Sequence, residues 1–435
     1  MNIIDLSPIL AEVLDPTTKG YPLSAASLPI SSVGSQGWSL LDGELPLPLA
    51  VIRDSALAHN HVWMRDFTAA TRVLLAPHGK TTMAPQIFAQ QLAAGAWGMT
   101  VANVQQLGIC ARFGVRRVIM ANQLLGALEV GTVIALQKQH RDLEFHFLVD
   151  SPAQLAAIEA AAMLTTPSRK LTALIELGVP GGRTGVRTHG DALVLARAVA
   201  ASRCVALSGL ECYEGLKISG DSAQDAVTVG ALMQRVKELA LACDSEGLFA
   251  GPSIILTAGG SAAFDIVARE LPMRLSKPVL TILRSGCYVT HDSGNYMRLL
   301  EGVRARSGAA WQTRPGLQPA LEVWSRVQSC PEPGLAILTM GKRDASYDIE
   351  MPIPLKRYRP EAMTGMQAVP TAWTIAVMND QHAYLRFSAE EADPPQVGDL
   401  IGCGISHPCT TFDKWRVLFT VDDGYRVTGA IRTYF

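Results

Sequence analysis

Short apolar segments rich in β-branched residues alternate with longer Ala- and Leu-rich stretches between about residues 70 and 290. This alternation is typical of repeated strand–helix units on a parallel sheet. The eight candidate strands are RVLLA (72–76), GMTVA (98–102), RVIMA (117–121), EFHFLV (144–149), LTALIEL (171–177), VALSGL (205–210), SIILTA (253–258) and PVLTIL (278–283). Eight such units are what a closed (β/α)8 barrel requires. The sequence therefore predicts an α/β protein built on a (β/α)8 barrel.

The last third of the chain has a different character. Segments such as LAILTM, AWTIAVM, HAYLRF and RVLFTV are β-prone and are separated by Gly, Pro and Asp turns. They predict a mainly antiparallel β-domain over residues 301–435, after a barrel over 48–300. Residues 1–47 contain Trp38, Leu40 and Leu41, and we expect them to form an ordered arm that packs on the β-domain.

Composition excludes several classes of partner. Of 435 residues, 48% are hydrophobic and 18% charged, and the net charge of -1 provides no field to attract nucleic acid or a membrane surface. The N-terminus lacks a signal-peptide pattern, and no segment reaches the roughly 18 uninterrupted apolar residues of a membrane helix. Eight cysteines without a CxxC pair indicate reduced thiols and a cytoplasmic protein. A small-molecule partner is expected.

Polar residues follow seven of the eight predicted barrel strands, at the positions where such barrels carry their chemistry. His78 and Lys80 follow the first strand in LLAPHGKTTMAP. A barrel rim that desolvates the Lys80 ammonium would lower its pKa enough for it to form a Schiff base with an aldehyde. Lys80 is the nucleophile that we predict, although a lysine after a strand is also commonly a solvated surface charge.

Two glycine-containing turns follow the seventh and eighth strands. TAGGSAAFD (257–265) places Gly259, Gly260 and Ser261 at a predicted helix start, where backbone N–H groups can receive a phosphate. RSGCYV (284–289) is the adjacent turn. Together they resemble the phosphate site that barrels often build after strands seven and eight.

For two further residues at the barrel rim, the sequence allows two positions of the side chain. Arg183 lies in GGRTGV and either reaches across the barrel mouth or is a surface arginine in a glycine-rich turn. Tyr213 lies in LECYEG. Its hydroxyl either hydrogen-bonds a ring nitrogen of a bound ligand, or the side chain simply packs at the barrel rim.

SHPCTTFDKW (406–415) sets an imidazole and a thiol two residues apart. In an extended segment alternate side chains point the same way, so His407 and Cys409 can reach one ion. Nitrogen and thiolate ligands favour zinc, and two protein ligands leave positions for water or substrate. The alternative is a chance pairing with an inert buried cysteine.

Six motifs, taken in order, carry a family resemblance: PHGKT, GRTGV, GLxxYEG, GGS, LRSGCYV and SHPCTTFDKW. The chain from about residue 45 resembles the fold-type III pyridoxal-phosphate enzymes of the alanine racemase-like barrel, and within them the D-serine dehydratase and D-threonine aldolase group. The resemblance implies a pyridoxal 5'-phosphate cofactor on Lys80, and a divalent ion, usually zinc in the dehydratases, on His407 and Cys409. It also implies phosphate binding around Gly260, Ser261, Gly286 and Cys287, Tyr213 near the pyridine nitrogen, and Arg183 at the ring's polar edge.

The full set of predicted site residues is shared between the barrel and the β-domain. The predicted cofactor site comprises His78, Lys80, Arg183, Tyr213, Thr257, Gly259, Gly260, Ser261, Arg284, Gly286 and Cys287, and the predicted metal ligands are His407 and Cys409. The chain departs from the group at Thr82 and Met83, where relatives often have His and Lys, and at Leu216, where they often have His. Substrate-side contacts are therefore left open.

The resemblance implies an activity and several rivals. We expect a metal-dependent dehydratase that converts a D-3-hydroxyamino acid such as D-serine into a 2-oxo acid and ammonia, with Lys80 as the Cα base. Cys409 in place of the carboxylate ligand of the aldolases favours elimination over retro-aldol cleavage of D-threonine. A racemase is less expected because the metal pair takes over the region of its second acid–base group. A non-catalytic carrier of the cofactor is the alternative from another class, and a homodimer is implied by resemblance alone.

Overall fold

Residues 4–53 precede the barrel, and several of them lie against the C-terminal part of the chain. The computed structural model describes residues 4–165, 167–215, 218–362 and 365–435. The Trp38 ring meets the Phe419 ring edge-on at a centroid distance of 6.2 Å, and Val427 N donates to the Trp38 carbonyl oxygen. The elements of this region are α1 (Ser7–Leu10), β1 (Val13–Leu14), β2 (Leu28–Pro29) and β3 (Leu49–Arg53). Because β3 pairs with strands of the C-terminal sheet, the barrel begins after residue 53 and not at residue 48.

Eight parallel strands form the barrel, and each of them contains the core of a predicted strand. They are β4 (Leu74–Leu75), β5 (Met99–Val101), β6 (Arg117–Gln123), β7 (Glu144–Val149), β8 (Leu171–Leu177), β9 (Val205–Cys212), β10 (Ile254–Ala258) and β11 (Val279–Leu283). The order is β4-β11-β10-β9-β8-β7-β6-β5, and a bridge between His78 and Thr100 joins the two ends of the sheet. The predicted barrel architecture is confirmed.

Helices connect the strands and cover the outside of the barrel. They are α2 (Asp54–Thr71), α3 (Pro85–Ala93), α4 (Val104–Arg112), α5 (Ala127–Gln139), α6 (Pro152–Thr165), α7 (His189–Ala201), α8 (Ser222–Ser245), α9 (Phe264–Glu270), α10 (Asn295–Arg306) and α11 (Ala309–Gln312). The side chains of Asn103, Thr188 and Asp221 accept N-cap hydrogen bonds at the starts of α4, α7 and α8. Such caps satisfy N–H groups that the first turn of a helix leaves unpaired.

A small apolar cluster fills the barrel interior. Its members come from six different strands: Ala76, Ile119, Leu148, Leu174, Ile255 and Ile282. Branched side chains from successive strands interlock in this way in barrels of this type, so the interior is a packed core and not a channel. Chemistry is thereby confined to the ends of the barrel.

The C-terminal part of the chain forms an antiparallel sheet, with β19 pairing parallel to β3. Its elements are β12 (Leu321–Glu332), β13 (Leu335–Leu338), β14 (Ile353–Tyr358), β15 (Met366–Ala368), β16 (Thr374–Met378), β17 (Ala383–Arg386), β18 (Leu400–Gly404), α12 (Pro408–Phe412), β19 (Val417–Val421) and β20 (Val427–Arg432). The main path runs β15-β14-β18-β12-β13-β17-β16. The loop from β18 to α12 brings Cys409 to Thr81 at the barrel rim, with Sγ and Oγ1 3.5 Å apart.

The helices are amphipathic or mixed in composition. None of those in the described parts of the chain combines the length and the hydropathy that crossing a lipid bilayer would need.

Candidate active site

A cavity of about 320 Å³ lies between the carboxyl ends of the barrel strands and the loop that precedes α12. Of the thirteen predicted site residues, twelve line it, and only Thr257 does not. The other lining residues are Thr81, Ala102, Ala121, Asn122, Tyr296 and Ile349. The structure therefore brings Lys80 from the barrel and the His407–Cys409 pair from the β-domain into one cavity.

Lys80 lies in a single 3-10 turn, Gly79–Thr81, that follows β4. The turn packs tightly: a Cβ at Gly79 would lie 2.9 Å from the Phe88 ring, and a Cβ at Gly286 would lie 2.6 Å from the His78 carbonyl oxygen. The Lys80 side chain itself is exposed in the cavity. The protein alone does not supply the desolvation that the sequence suggested.

His78 lies beside Lys80 and stays neutral. Burial, followed by the positive charges of Lys80, Arg284 and Arg183, holds the pKa of its imidazole well below the usual value. Its Nδ1 is buried and has no hydrogen-bond partner within the described chain. Since an orphaned buried nitrogen carries a free-energy penalty, it is a position where a bound group can supply the missing partner.

Arg284 is buried and held in place by three neighbours. Its guanidinium donates to Glu211 Oε1, to Thr257 Oγ1 (2.9 Å) and to the Cys212 carbonyl oxygen (3.0 Å). Thr257 is fully buried and in turn donates to the Ile282 carbonyl oxygen. The sequence predicts that Thr257 contacts a cofactor, but in this structure Thr257 does not line the cavity and instead positions Arg284 from within the sheet.

The turn after β10 is stabilised by a carboxylate of this chain. Gly259 N and Gly260 N donate to Glu214, at 3.1 and 2.6 Å, and Glu214 is 1% exposed. The two N–H groups expected to receive a phosphate are thus already satisfied. The predicted helix start is also displaced, because α9 begins only at Phe264 and has seven residues.

Ser261 joins the two glycine-containing turns. Its Oγ accepts a hydrogen bond from Cys287 N at 3.2 Å, so its own O–H proton is left to donate into the cavity. The Ser285 hydroxyl donates to the carbonyl oxygens of Gly259 (3.2 Å) and Gly260 (3.0 Å). The turns after β10 and β11 therefore behave as one unit, in which Ser261 presents the hydroxyl group.

Tyr213 and Arg183 pack together at the opposite wall. The Arg183 guanidinium lies 4.8 Å from the centre of the Tyr213 ring, a cation–π arrangement. A Cβ at Gly260 would come within 2.9 Å of that ring, so the absence of a side chain at Gly260 leaves room for the Tyr213 ring. Burial, and then the negative charge of Glu214, raises the pKa of the Tyr213 hydroxyl, which keeps it a proton donor at neutral pH.

His407 is oriented by a carboxylate that the sequence did not single out. Its Nδ1 lies 2.6 Å from Asp348 Oδ2, while Thr410 Oγ1 donates to the other carboxylate oxygen at 2.8 Å. Burial alone would lower the pKa of His407, but the hydrogen bonds and charges of Cys409 and Asp348 raise it to about 9. A histidine held at one nitrogen by a carboxylate presents the other to a metal ion.

Cys409 has the features of a metal-binding thiolate. Its Sγ lies 3.6 Å from Cys287 Sγ and 3.5 Å from Thr81 Oγ1. The hydrogen bond with Cys287, helped by those with His407 and Thr81, holds the pKa of Cys409 well below its usual value, although burial opposes the shift. Among the described residues no group of three or more His, Cys, Asp or Glu side chains is gathered to hold an ion, so the candidate ligands are a pair.

Sequence reasoning missed Asp348, Tyr296 and Ile349. Asp348 stands 59 residues before His407, and nothing in its local sequence marks the contact. The two positions that depart from the family pattern, Thr82 and Met83, are buried under the turn and do not line the cavity. The third, Leu216, lies outside the described residues.

Comparison with known proteins agrees with this geometry. Residues 320–421 match a family model described as "Putative serine dehydratase domain". The chain is 26% identical over 364 residues to D-threonine aldolase of an Arthrobacter species, which covers 81% of this chain and 83% of that protein. It is 25% identical over 315 residues to 3-hydroxy-D-aspartate aldolase of Paracoccus denitrificans strain Pd 1222, with coverages of 72% and 76%.

Solved structures agree on the fold. D-threonine aldolase from Filomicrobium marinum superposes with a TM-score of 0.74 at 21% identity, over 91% of this chain and 97% of that one. D-threo-3-hydroxyaspartate dehydratase from Delftia sp. HT23 gives 0.69 at 20% identity, over 91% and 99%. The fold is also that of an alanine racemase-like protein of Idiomarina loihiensis. The chain thus has the fold of these proteins, and residues 320–421 of its β-domain match the serine dehydratase domain model.

Proposed function

We propose that this protein is a pyridoxal-phosphate- and metal-dependent lyase of D-3-hydroxyamino acids that acts as a dehydratase, forming a 2-oxo acid and ammonia, with D-serine among its substrates. The observation that carries the proposal is the shared cavity of Lys80, His407 and Cys409. The two curated relatives described above are named as aldolases of D-threonine and 3-hydroxy-D-aspartate, which supports the substrate class.

The cavity suits a phosphorylated pyridine aldehyde. Its described lining residues include Lys80, Arg183 and Arg284 and no carboxylate, so a phosphate group and a substrate carboxylate are both favoured. Lys80 is the primary amine that would bind the aldehyde, and the Ser261 hydroxyl would donate to the phosphate. The unpartnered Nδ1 of His78 is a further contact point.

When bound, pyridoxal phosphate supplies an electron sink for the carbanion left when Cα loses its proton. The residues of this chain then have to orient the substrate and move protons. Lys80 Nζ takes the Cα proton, and the exposed position of its side chain leaves it free to turn toward the substrate. Among the described cavity residues, Arg183 is the guanidinium left for the substrate carboxylate, because Arg284 is already hydrogen-bonded to Glu211.

The His407–Cys409 pair suits zinc. An imidazole nitrogen and a thiolate are ligands of that ion, and Asp348 holds the ring so that Nε2 is available. Solved structures of D-threo-3-hydroxyaspartate dehydratase include an alanine variant of a histidine and an alanine variant of a cysteine two positions later, the latter in the metal-free form. The spacing equals that of His407 and Cys409. The ion would supply Lewis-acid stabilisation of the departing β-hydroxyl oxygen.

Retro-aldol cleavage is the second candidate, because the curated relatives that span most of the chain are named as aldolases. It would use the same cavity and yield glycine and an aldehyde. Cys409 favours the dehydratase, since the dehydratase relative also carries a cysteine at this spacing.

The test is a panel of D-serine, D-threonine and D-3-hydroxyaspartate, with L-serine as a control and with product identification before and after chelation. We expect 2-oxo acid and ammonia from D-serine, lost on chelation while the cofactor absorbance persists. Glycine and aldehyde as the main products would establish the aldolase instead. Turnover that survives complete metal removal would overturn the metal assignment, and cofactor binding without any turnover would indicate a carrier.

Lys80→Ala tests the cofactor assignment separately. We expect loss of the bound cofactor's visible absorbance and a rate at least about 10³-fold lower, because general-base catalysis alone contributes about 10²–10⁴-fold. Lys138→Ala is the matched control, since Lys138 is exposed and its Nζ donates to the Thr165 carbonyl oxygen, away from the cavity. Unchanged absorbance in Lys80→Ala would exclude Lys80 as the attachment point.

We also propose that the active form is a homodimer. Leu128 is 80% exposed on the rim after β6, and Ile349, which lines the cavity, is 45% exposed. A second copy that covered these apolar side chains would also shield the cavity from water. A mass measurement in solution tests this, and a fully active monomer would contradict it.

A further inference from the structure

Two thiols from different parts of the fold meet at the cavity wall. Cys287 follows β11 in the barrel, and Cys409 lies in α12 of the β-domain, 122 residues later. Their sulfur atoms are 3.6 Å apart, whereas a disulfide bond joins sulfurs at about 2.0 Å. All eight cysteines of the chain are free thiols in this structure.

We propose that Cys287 and Cys409 form a reversible disulfide bond when the metal ion is absent, and that this bond disables the site. The oxidant is a peroxide. The Cys409 sulfur attacks the peroxide O–O bond and becomes a sulfenic acid as one water leaves. The Cys287 thiol then attacks that sulfur and a second water leaves. Two thiols and one hydrogen peroxide thus give one disulfide and two waters.

The order of attack follows from exposure. Cys409 is half-buried, whereas Cys287 is buried with 6% exposure, and both line the cavity. A small oxidant that enters the cavity therefore meets Cys409 first. The Cys287 sulfur is then the neighbouring thiol within reach, and Thr81 Oγ1 contacts both sulfurs, at 3.5 and 3.9 Å. The pair is thus arranged as an attacked thiol and a resolving thiol.

The disulfide and the metal ion compete for one sulfur. Cys409 cannot be a thiolate ligand while it is bonded to Cys287, so oxidation removes half of the candidate ligand pair. Conversely, an ion on His407 and Cys409 occupies the attacked sulfur and protects it. This protection is the part of the inference that rests on the proposed function.

The experiment uses the full-length reduced protein, prepared metal-free or loaded with zinc and treated with stoichiometric hydrogen peroxide. In the metal-free sample we expect the thiol count in denaturant to fall from eight to six, with a mass lower by two hydrogen atoms. Tryptic digestion should link peptide 285–298 to peptide 387–414. Dithiothreitol should restore the thiols and zinc binding, and zinc loading should slow the loss of thiols.

Variants separate this pair from general oxidation. Cys287→Ser and Cys409→Ser should give no linked peptide, while Cys330→Ser, which removes an exposed thiol elsewhere, should behave like the unaltered chain. If a variant fails to fold, fragmentation of the linked peptides from the unaltered chain distinguishes Cys409 from Cys403, which lies in the same tryptic peptide. A metal-free protein that keeps eight thiols, or in which Cys409 is oxidised to sulfinic acid without a link, would overturn the proposal. A disulfide that forms equally fast with zinc present would support the thiol pair and count against the metal assignment.

Discussion

The turn after β10 and the loop before α12 both present polar groups to the same cavity. They differ in whether those groups already have a hydrogen-bond partner within the protein. In the turn, Glu214 takes the N–H groups of Gly259 and Gly260. In the loop, Asp348 occupies one nitrogen of His407 and leaves the other. Internal hydrogen bonds can therefore either make a polar group unavailable to a ligand, as at Gly259 and Gly260, or orient it toward a ligand, as at His407.

Removal of the Glu214 carboxylate should have the largest effect on stability. Glu214→Ala leaves one buried and one partly buried N–H group unpaired. A buried unpaired group costs about 1–3 kcal/mol and a partly buried one less, so we expect the free energy of unfolding to fall by about 2–4 kcal/mol. Denaturant titration measures it. Glu238→Ala is the control, because Glu238 is exposed and accepts a side-chain hydrogen bond from Gln234 on the surface of α8. If the two variants are equally stable, the carboxylate does not hold the turn.

Removal of the Asp348 carboxylate should weaken metal binding without changing a metal ligand. Partners that orient a ligating histidine typically contribute 10–100-fold to metal affinity, and we expect a loss of about that size for Asp348→Ala. Competition with a chelating dye measures the affinity. Asp380→Ala, which removes a carboxylate of an exposed ion pair, should leave it unchanged. Equal affinities in both variants would show that His407 needs no orienting partner.

A methyl group at Gly286 tests how closely the two turns must approach. It would lie 2.6 Å from the His78 carbonyl oxygen and 2.7 Å from Thr81 Oγ1. We expect Gly286→Ala to lower the free energy of unfolding by about 1–3 kcal/mol and to weaken cofactor binding. Gly108→Ala is the matched control: it lies within α4 with open space around it and should be neutral or stabilising. A Gly286→Ala protein with unaltered cofactor affinity would contradict the tight fit.

The buried partner of Arg284 should make stability depend on pH. Burial raises the pKa of Glu211 from 4.5 to about 8, although Arg284 opposes the shift. The folded protein therefore keeps a proton that the unfolded chain releases above pH 4.5, so this contribution to stability falls as pH rises from about 4.5 to 8.

The free energy of unfolding should fall with pH by at most about 1.4 kcal/mol per pH unit because of Glu211. Glu211→Gln should remove it, whereas Glu246→Gln, on the surface beside Arg197, should not. Unfolding titrations between pH 5 and 8 measure the slope. Parallel curves for the unaltered protein and Glu211→Gln would mean that Glu211 does not titrate in this range.

Much of the fold and the cavity lining could be predicted from the sequence. The eight strands follow from local hydrophobic runs, and the strand-end rule located His78, Lys80 and Arg183 because parallel strands of a barrel end on one face. The rule predicts where a residue lies in the barrel, but it does not predict whether its polar groups are free to bind a ligand. It could not show that Thr257 turns into the sheet toward Arg284, or that α9 starts too late to help at Gly260.

The order of strands and the identity of the rim residues were determined by the sequence itself, because periodicity and turn chemistry are local properties. Only the tertiary structure decided which groups meet across long separations. Asp348 with His407, Glu214 with Gly259 and Cys287 with Cys409 are pairs separated by 59, 45 and 122 residues. Such contacts depend on how the barrel and the β-domain pack together, and no local pattern of residues encodes that packing.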